Sequence, residues 1–293
     1  MKLSCKIRRC FMRKIFFTFF LLFSLVTANA SERMIAVTIL PQKFITEKIV
    51  GNLWTVISII PEGANPHTYE PKINTLKNVS AASAYLSLEE VLDEIWVKKI
   101  LDVNPKIKIY RMDKGVEKLR MSDDDHHHGK KLFHDPHIWL SLDNMKIIAQ
   151  NTKDILLSID PANKTSYEKN YEQLVKEIDM LKNEVSSRLL TKKNKSFLVF
   201  HPAWGYFARD FGLNQVSIEF EGKEPSPKRL KEIISFAKSK NIKVIFVQPQ
   251  ISSTTVETLA KELGARIVKI NPLEYDWLKN MKYVSQEIAD GLE

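Results

Sequence analysis

The side chains best suited to chemistry in this chain are its seven histidines, three of which stand singly next to predicted strands or in short proline-containing loops. They are His67 in PEGANPHTYEP (61–71), His137 in DPHIWL (135–140) and His201 in HPAWG (201–205). Neutral imidazole is the commonest metal ligand in proteins, and three imidazoles suit Zn²⁺. The residue types therefore favour a metal site built from His67, His137 and His201.

The other four histidines lie together in DDDHHHGKKLFH (123–134). One interpretation of this segment is a solvated turn, and the other is a low-affinity collector that raises the local metal concentration. Its last histidine, His134, is only three residues before His137. We favour His137 as the ligand because it stands in a fixed Asp-Pro loop that precedes an apolar anchor.

Short apolar runs alternate with helical patterns in two separate sets, which supply the frame for these histidines. Runs with the character of buried strands occupy 34–39, 55–60, 84–88 and 107–110 in the first set, and 197–200, 216–218, 243–247 and 266–270 in the second. Such series predict an α/β fold with two parallel sheets flanked by helices. Ligands bind at the carboxyl ends of such strands, where His67 and His201 are expected to lie.

A long apolar stripe separates the two sets. It begins after Asp160-Pro161, a typical N-cap and first-turn pair, and runs from Tyr167 to Leu189 at helical spacing. We predict one long helix that joins two lobes. The predicted organisation is a leader at 1–30, an N-terminal lobe at 31–159, the linking helix at 160–190 and a C-terminal lobe at 191–293.

The amino-terminal 30 residues have the pattern of a cleaved secretory signal. Six basic residues and no acid precede or flank an apolar run too short to span a bilayer, and Ala28-Asn29-Ala30 resembles a leader-peptidase site. The sequence leaves the start codon open between Met1 and Met12. Because those six charges account for most of the formal +9, the remaining chain has only +3, which gives no basic stripe for nucleic acid.

Several classes of protein are excluded by the absence of their residues. Both cysteines, Cys5 and Cys10, belong to the predicted leader, so the exported chain has no disulfide or thiolate ligand. Its nine glycines lack the spacings of dinucleotide and phosphate loops, and no histidine begins an HExxH motif.

Four stretches give the chain a resemblance to a known family. PEGANPHTYEP, DPHIWL, HPAWGYFARDFGL, and EPSPKRLKEII followed by VIFVQPQ and INPL resemble the periplasmic metal-binding proteins of zinc and manganese ABC importers. The resemblance is greatest to the zinc-uptake branch. It implies that His67 and His137 of the N-terminal lobe and His201 of the C-terminal lobe bind one transported Zn²⁺ in the interlobe cleft.

By the same resemblance the protein is not an enzyme but a monomeric periplasmic carrier that delivers zinc to an ABC permease in the inner membrane. A manganese- or iron-binding member of the family is the alternative, although a third imidazole shifts the preference towards zinc. A secreted zinc hydrolase is the rival from another class. It is disfavoured because no acid at a fixed offset accompanies these histidines as a general base.

One family position departs from the usual pattern. Asn271 in Ile270-Asn-Pro-Leu273 stands where many members have a ligand Asp, so the fourth ligand is open among Asn271, Asp276, Glu70 and water. We expect somewhat weaker metal binding as a result. The acidic residues before the predicted Ser226 cap and the aromatic residues beside the histidines are interpreted as structural; they are Glu219, Glu221, Glu224, Trp139, Trp204 and Tyr206.

Overall fold

The computed structural model describes residues 33–66, 68–88, 90–120, 134–219, 222–251 and 253–292. The predicted leader, His67 and the His126–His128 tract lie outside these ranges. The amino-terminal half contains strands β1 (Met34–Val37), β2 (Thr55–Ser58), β3 (Ala84–Ser87) and β4 (Lys108–Arg111), with helices α1 (Leu40–Val50), α2 (Ile73–Ser80), α3 (Glu90–Val103) and α4 (Leu142–Ile159).

Helix α5 (Lys164–Leu190) leads from this half into the second. The carboxyl-terminal half contains strands β5 (Ser196–Val199), β6 (Asn214–Ser217), β7 (Val244–Val247) and β8 (Arg266–Lys269), with helices α6 (Gly205–Asp210), α7 (Pro227–Ser239), α8 (Thr254–Leu263) and α9 (Trp277–Gly291). No helix in the described ranges has the length and apolar character to cross a bilayer.

The two halves repeat one topology. Each forms a four-stranded sheet, in the orders β2-β1-β3-β4 and β6-β5-β7-β8, and every strand pair is parallel. The predicted fold class is therefore confirmed: two lobes, each a parallel sheet flanked by helices, are joined by one long helix. In both sheets, the loops that follow the strands meet at a single edge.

Helix α5 buries the predicted apolar stripe, including Tyr167, Leu174, Ile178 and Leu189. One core cluster runs continuously from the first sheet past α5 to one face of the second sheet, whose other face has a cluster of its own. The long helix therefore packs against both lobes and does not merely connect them. The boundaries 31–159, 160–190 and 191–293 remain our proposal for the domains.

The start of the long helix differs from the prediction. Asp160 ends α4, and Pro161–Asn163 form a short 3₁₀ turn before α5 begins at Lys164. The carboxylate of Asp160 caps neither helix. Its Oδ2 accepts hydrogen bonds from Trp54 Nε1 at 3.3 Å and Tyr167 OH at 2.6 Å, so a tertiary network has displaced the local cap. By contrast, Ser226 Oγ accepts a bond from Arg229 N, and the predicted cap of α7 is confirmed.

The segment before α4 is bonded to the second lobe by several buried groups. Tyr206 OH donates to Asp135 O at 2.8 Å, Trp139 Nε1 donates to Pro272 O at 2.7 Å, and Trp277 Nε1 donates to Trp139 O at 2.8 Å. His137 lies in the middle of this segment. Although it precedes α5 in sequence, its neighbours are therefore fixed to the carboxyl-terminal half.

Candidate metal centre

His137 is held in the turn between Asp135 and a 3₁₀ helix at Ile138–Leu140. Asp135 Oδ1 accepts two hydrogen bonds from it, one from the backbone N at 2.9 Å and one from the ring Nδ1 at 2.7 Å. Pro136 fixes the backbone between the two residues. This Asp-Pro-His turn leaves 8% of His137 exposed and orients its ring through one nitrogen.

His201 lies two residues beyond the end of β5, and Glu219 lies two residues beyond the end of the adjacent strand β6. Because Val199 pairs with Ser217, the two side chains stand at equivalent positions on neighbouring strands. Glu219 Oε1 lies 2.5 Å from His201 Nδ1, and the glutamate is buried, with 6% of its surface exposed. The second histidine is therefore also held through Nδ1 by a carboxylate.

The other ring nitrogens of the two histidines face each other. Their Nε2 atoms are 3.3 Å apart and their ring centroids 5.2 Å apart, with the ring planes inclined at 78°. Two imidazoles that bind one tetrahedral Zn²⁺ through Nε2 at about 2.0 Å hold these nitrogens about 3.3 Å apart and their centroids about 5.2 Å apart. The pair thus has the separation that a tetrahedral zinc ion requires of two ligands.

The tautomer of each ring follows from its partner. A carboxylate accepts hydrogen bonds and has no proton to donate, so Nδ1 of both His137 and His201 must carry the hydrogen. In a neutral ring the lone pair then belongs to Nε2. Both rings therefore direct their metal-binding atom towards the same region.

Of the three aromatic residues expected beside the histidines, Trp139 has its ring next to that of His137. Trp139, Trp204 and Tyr206 are each at most 2% exposed, and the Trp139 ring centroid lies 5.3 Å from that of His137. Such packing limits ring movement and keeps water away from the site.

The remaining histidines contribute no described ligand. His67 and His126–His128 fall outside the described residues, and His134 forms an isolated backbone bridge with Arg120. Within the described ranges, no group of three or more His, Cys, Asp or Glu side chains is arranged to hold a metal ion. The structure brings together two of the three predicted ligands.

Each residue considered as a fourth ligand has another partner. Asn271 Oδ1 accepts bonds from Leu273 N at 3.1 Å and Gln250 Nε2 at 3.3 Å. Asp276 caps α9 through a bond from Lys279 N at 3.1 Å. Glu70 pairs with Lys99 at 2.8 Å, and its side chain is 80% exposed. Each of the three is therefore engaged with another group through at least one of its side-chain atoms.

Sequence reasoning missed the role of two acids in the site. In the sequence, Glu219 belongs to an acidic run interpreted as structural, whereas in the fold it contacts His201. Asp135 is predicted only to form part of the fixed loop before His137. The i, i+2 spacing of Asp135 and His137 offered a local signal. The signal for Glu219 is the equal offset of two residues after adjacent strands, which becomes visible only once β5 and β6 are paired.

Comparison with known families gives one match over nearly the whole described chain. Residues 35–291 match the model of ZnuA, described as zinc-uptake complex component A, periplasmic. Among curated relatives, the zinc-binding lipoprotein AdcA of Streptococcus pneumoniae is 31% identical over 250 residues, which are 82% of this chain and 50% of the relative. A putative metal-binding protein of Treponema pallidum is 28% identical and covers 82% and 79%, respectively. The chain spans about half the length of the AdcA relatives that it matches.

Among solved structures, the chain is likewise similar to zinc-uptake and zinc-binding proteins. A crystal structure of ZnuA has a TM-score of 0.83 and 36% identity over 89% of this chain and 99% of that one. A zinc-bound deletion mutant of ZnuA has the same score and identity. A zinc-bound variant of AdcAII from Streptococcus pneumoniae has a TM-score of 0.80 at 28% identity, over 90% of this chain and 99% of that one.

Proposed function

Because this chain belongs to the family of the periplasmic component A of zinc-uptake complexes, we propose that it is a solute-binding protein that captures Zn²⁺ between its lobes. The proposed ligands are His67, His137 and His201. One observation carries the proposal: the Nε2 atoms of His137 and His201 are 3.3 Å apart, with both rings turned towards a common point.

The ligand chemistry favours zinc over the harder cations of the alternative function. Imidazole suits Zn²⁺, whereas Mn²⁺ prefers carboxylate and other oxygen ligands. The described site offers imidazole nitrogen towards its centre, and its two carboxylates are turned to the far side of the rings. Asn271, where many family members carry an acid, supplies an amide in place of a charge. Water is our proposal for the fourth ligand.

For zinc-dependent hydrolysis, the rival function, neither acid that contacts the two described histidines is placed to act as the base. A hydrolase needs a carboxylate within hydrogen-bond reach of the metal-bound water. Asp135 and Glu219 bind the Nδ1 atoms, which lie across each ring from Nε2. Neither acid therefore faces the region where a metal-bound water would stand. We assign the protein to transport and not to catalysis.

Delivery follows from the same proposal. A component A of an uptake complex passes its ion to a membrane component, so the partner is the permease of an ABC importer. We propose that the protein acts in the periplasm as a monomer after removal of residues 1–30, and that it binds no nucleic acid. Mass spectrometry of the exported protein tests the cleavage site, and size-exclusion chromatography with light scattering tests the monomer.

Metal analysis of the purified exported chain, combined with competition titrations against Zn²⁺, Mn²⁺, Fe²⁺ and Cu²⁺, tests the main proposal. We expect one tightly bound Zn²⁺ per chain, with Mn²⁺ far weaker. His134→Ala is the matched control, because this histidine is three residues from His137 and should leave the affinity unchanged. Tighter binding of Mn²⁺ than of Zn²⁺ would contradict the assignment.

A further inference from the structure

Two buried acids adjoin the candidate metal centre without facing its interior. Asp135 is 7% and Glu219 6% exposed, and each carboxylate contacts the Nδ1 of one histidine. Burying a carboxylate costs free energy unless hydrogen bonds and opposite charge compensate it. Two such groups on adjacent ligands therefore require an explanation beyond packing.

We propose that Asp135 and Glu219 are positioning residues of the metal site, which fix the tautomer of the two histidines and supply the negative charge that its ligands lack. This inference rests on the proposed function. It assigns to Glu219 a role that its place in an acidic run concealed.

Orientation is the first part of this role. A histidine that donates from Nδ1 to a fixed carboxylate presents the bare Nε2 to a metal and loses the freedom to rotate. Asp135 acts from the same turn as His137, whereas Glu219 reaches His201 from the neighbouring strand. The two Nε2 atoms are thus directed by separate elements, yet converge to 3.3 Å.

Charge is the second part. Three neutral imidazoles and a water would leave a divalent ion with its full charge in a largely dry site, because Asn271 brings no carboxylate. A negative group behind each imidazole makes the ring a better electron donor and offsets the charge of the metal. Asp135 and Glu219 would together place two negative charges on the Nδ1 side of the imidazoles, with one ring between each carboxylate and the ion.

The packing around Asp135 shows how closely its place is defined. A Cβ added to Gly205 would lie 2.8 Å from Asp135 Oδ2, so any larger residue at the start of α6 would force this oxygen to shift. The backbone N of Asp135 donates to Leu119 O at 2.9 Å, and its backbone O accepts from Tyr206 OH at 2.8 Å. The carboxylate therefore stands between the two lobes with little freedom.

The test compares variants that separate charge from hydrogen bonding. Glu219→Gln and Asp135→Asn keep an oxygen that accepts from Nδ1 but remove the charge, and Glu219→Ala removes both. Glu224→Gln is the matched control, since this acid belongs to the same sequence run but bonds to Ser253 Oγ at 2.8 Å. Zinc affinity is measured by competition titration, and histidine tautomers by ¹⁵N NMR of the metal-free protein.

We expect Glu219→Gln and Asp135→Asn each to lower zinc affinity about 10-fold with the Nδ1–H tautomer kept, and Glu219→Ala to lower it about 100-fold with the tautomer of His201 changed. Glu224→Gln should bind zinc as the wild type does. Circular dichroism and unfolding midpoints establish that each variant is folded. If Glu219→Ala does not fold, the two isosteric variants still carry the test.

Unchanged affinity in both Glu219→Gln and Asp135→Asn would overturn the role of charge. An unchanged tautomer and affinity in a folded Glu219→Ala protein would overturn the role in positioning. His201→Ala and the wild type are titrated alongside. If the wild type binds no zinc, the proposed function fails; if His201→Ala loses zinc while the carboxylate variants keep it, only the present inference fails.

Discussion

At the carboxyl edge of the first sheet, buried polar side chains bond to one another, whereas at the same edge of the second sheet they bond to a histidine of the candidate metal centre. In the first, Asp93 accepts hydrogen bonds from Thr38 Oγ1, from Tyr85 OH at 3.0 Å and from Leu88 N at 2.5 Å. In the second, Glu219 accepts from His201. The two edges share a strand order, but their buried acids have different partners.

The difference shows what topology decides and what it leaves to side chains. Parallel strands gather their following loops at one edge in both lobes. In the first lobe, the acid there satisfies a hydroxyl, a phenol and a backbone amide, and burial together with the charge of Asp93 raises the pKa of Tyr85 well above its usual value. Asp93 is thus engaged in a network within its own lobe. In the second lobe, the acid contacts Nδ1 of His201, whose Nε2 lies 3.3 Å from Nε2 of His137.

The largest expected effect concerns the histidine pair. His137→Ala or His201→Ala should each weaken zinc binding about 10³-fold, since each removes one of four ligands to a tightly held ion. Replacement of His126, His127 and His128 together by Ala should change the affinity of the cleft little. Competition titration measures both. The comparison fails if the triple variant loses tight binding while the single variants retain it.

Removal of the Asp93 carboxylate should lower stability and leave zinc binding unchanged. Asp93→Ala leaves Leu88 N and one of two hydroxyls without an acceptor in the interior, since Thr38 Oγ1 and Tyr85 OH can still bond to each other. We therefore expect the free energy of unfolding to fall by about 3 kcal/mol. Zinc affinity of the folded protein should remain within about twofold. Chemical denaturation gives the first value, and Asp102→Ala, an exposed acid on the same helix, is the control. A large loss of zinc affinity in folded Asp93→Ala protein would show that Asp93 also serves the metal site.

A smaller effect is expected when Asn271, two residues after β8, is replaced by an acid. Asn271→Asp should tighten zinc binding about 10-fold, because a carboxylate is a far stronger ligand than an amide. Asn271 Nδ2 now donates to Glu274 Oε2 at 3.1 Å, so the new acid would be repelled by that neighbour. The variant is therefore best tested in a Glu274→Gln background, with the single Glu274→Gln protein as its control. No gain in affinity would indicate that position 271 cannot reach the ion.

The smallest effect concerns Asp113, which lies two residues after β4 in the first lobe. Burial alone would raise the pKa of this carboxyl, but hydrogen bonds and charges from Arg111 and Lys118 outweigh burial and lower the pKa. Stability gained from a lowered pKa is present above the unfolded value of about 3.9 and is lost as the pH falls through the folded value.

Asp113→Asn should therefore cost at most about 1 kcal/mol at neutral pH, since the cations are partly exposed. The difference from wild type should shrink as the pH falls below about 4. Unfolding curves at several pH values measure it. A cost that stays constant down to pH 2 would mean that the pairing charge is irrelevant.

Much of this arrangement could be predicted from the sequence. Apolar runs predict the eight strands of the described residues, although β6 begins two residues before the predicted run, and the buried stripe predicts α5. These features depend on local periodicity, which a single sequence contains. His137 and His201 were identified by residue type and loop motif for the same reason.

The features that could not be predicted depend on contacts between distant positions. The contact of Glu219 with His201 requires the register of β5 and β6. The sequence predicts that Asp160 caps a helix. In the fold, however, Trp54, more than a hundred residues away, donates a hydrogen bond to it. Local rules cannot decide such competition, because the competing partner is absent from the window in which they apply.

The hydrogen bonds that fix the His137 segment to the second lobe have a kinetic consequence. With Trp139 and Trp277 bonded across the lobes, the segment of His137 is fixed to the lobe that carries His201, and the two Nε2 atoms lie at the separation of zinc ligands. An incoming ion would form its first two bonds without waiting for a loop, so capture should proceed as fast as the ion exchanges its hydration water. Residence time would then be set by the third ligand, which the proposed site takes from the 61–71 loop. Fast capture and adjustable release would thus be assigned to different parts of one small protein.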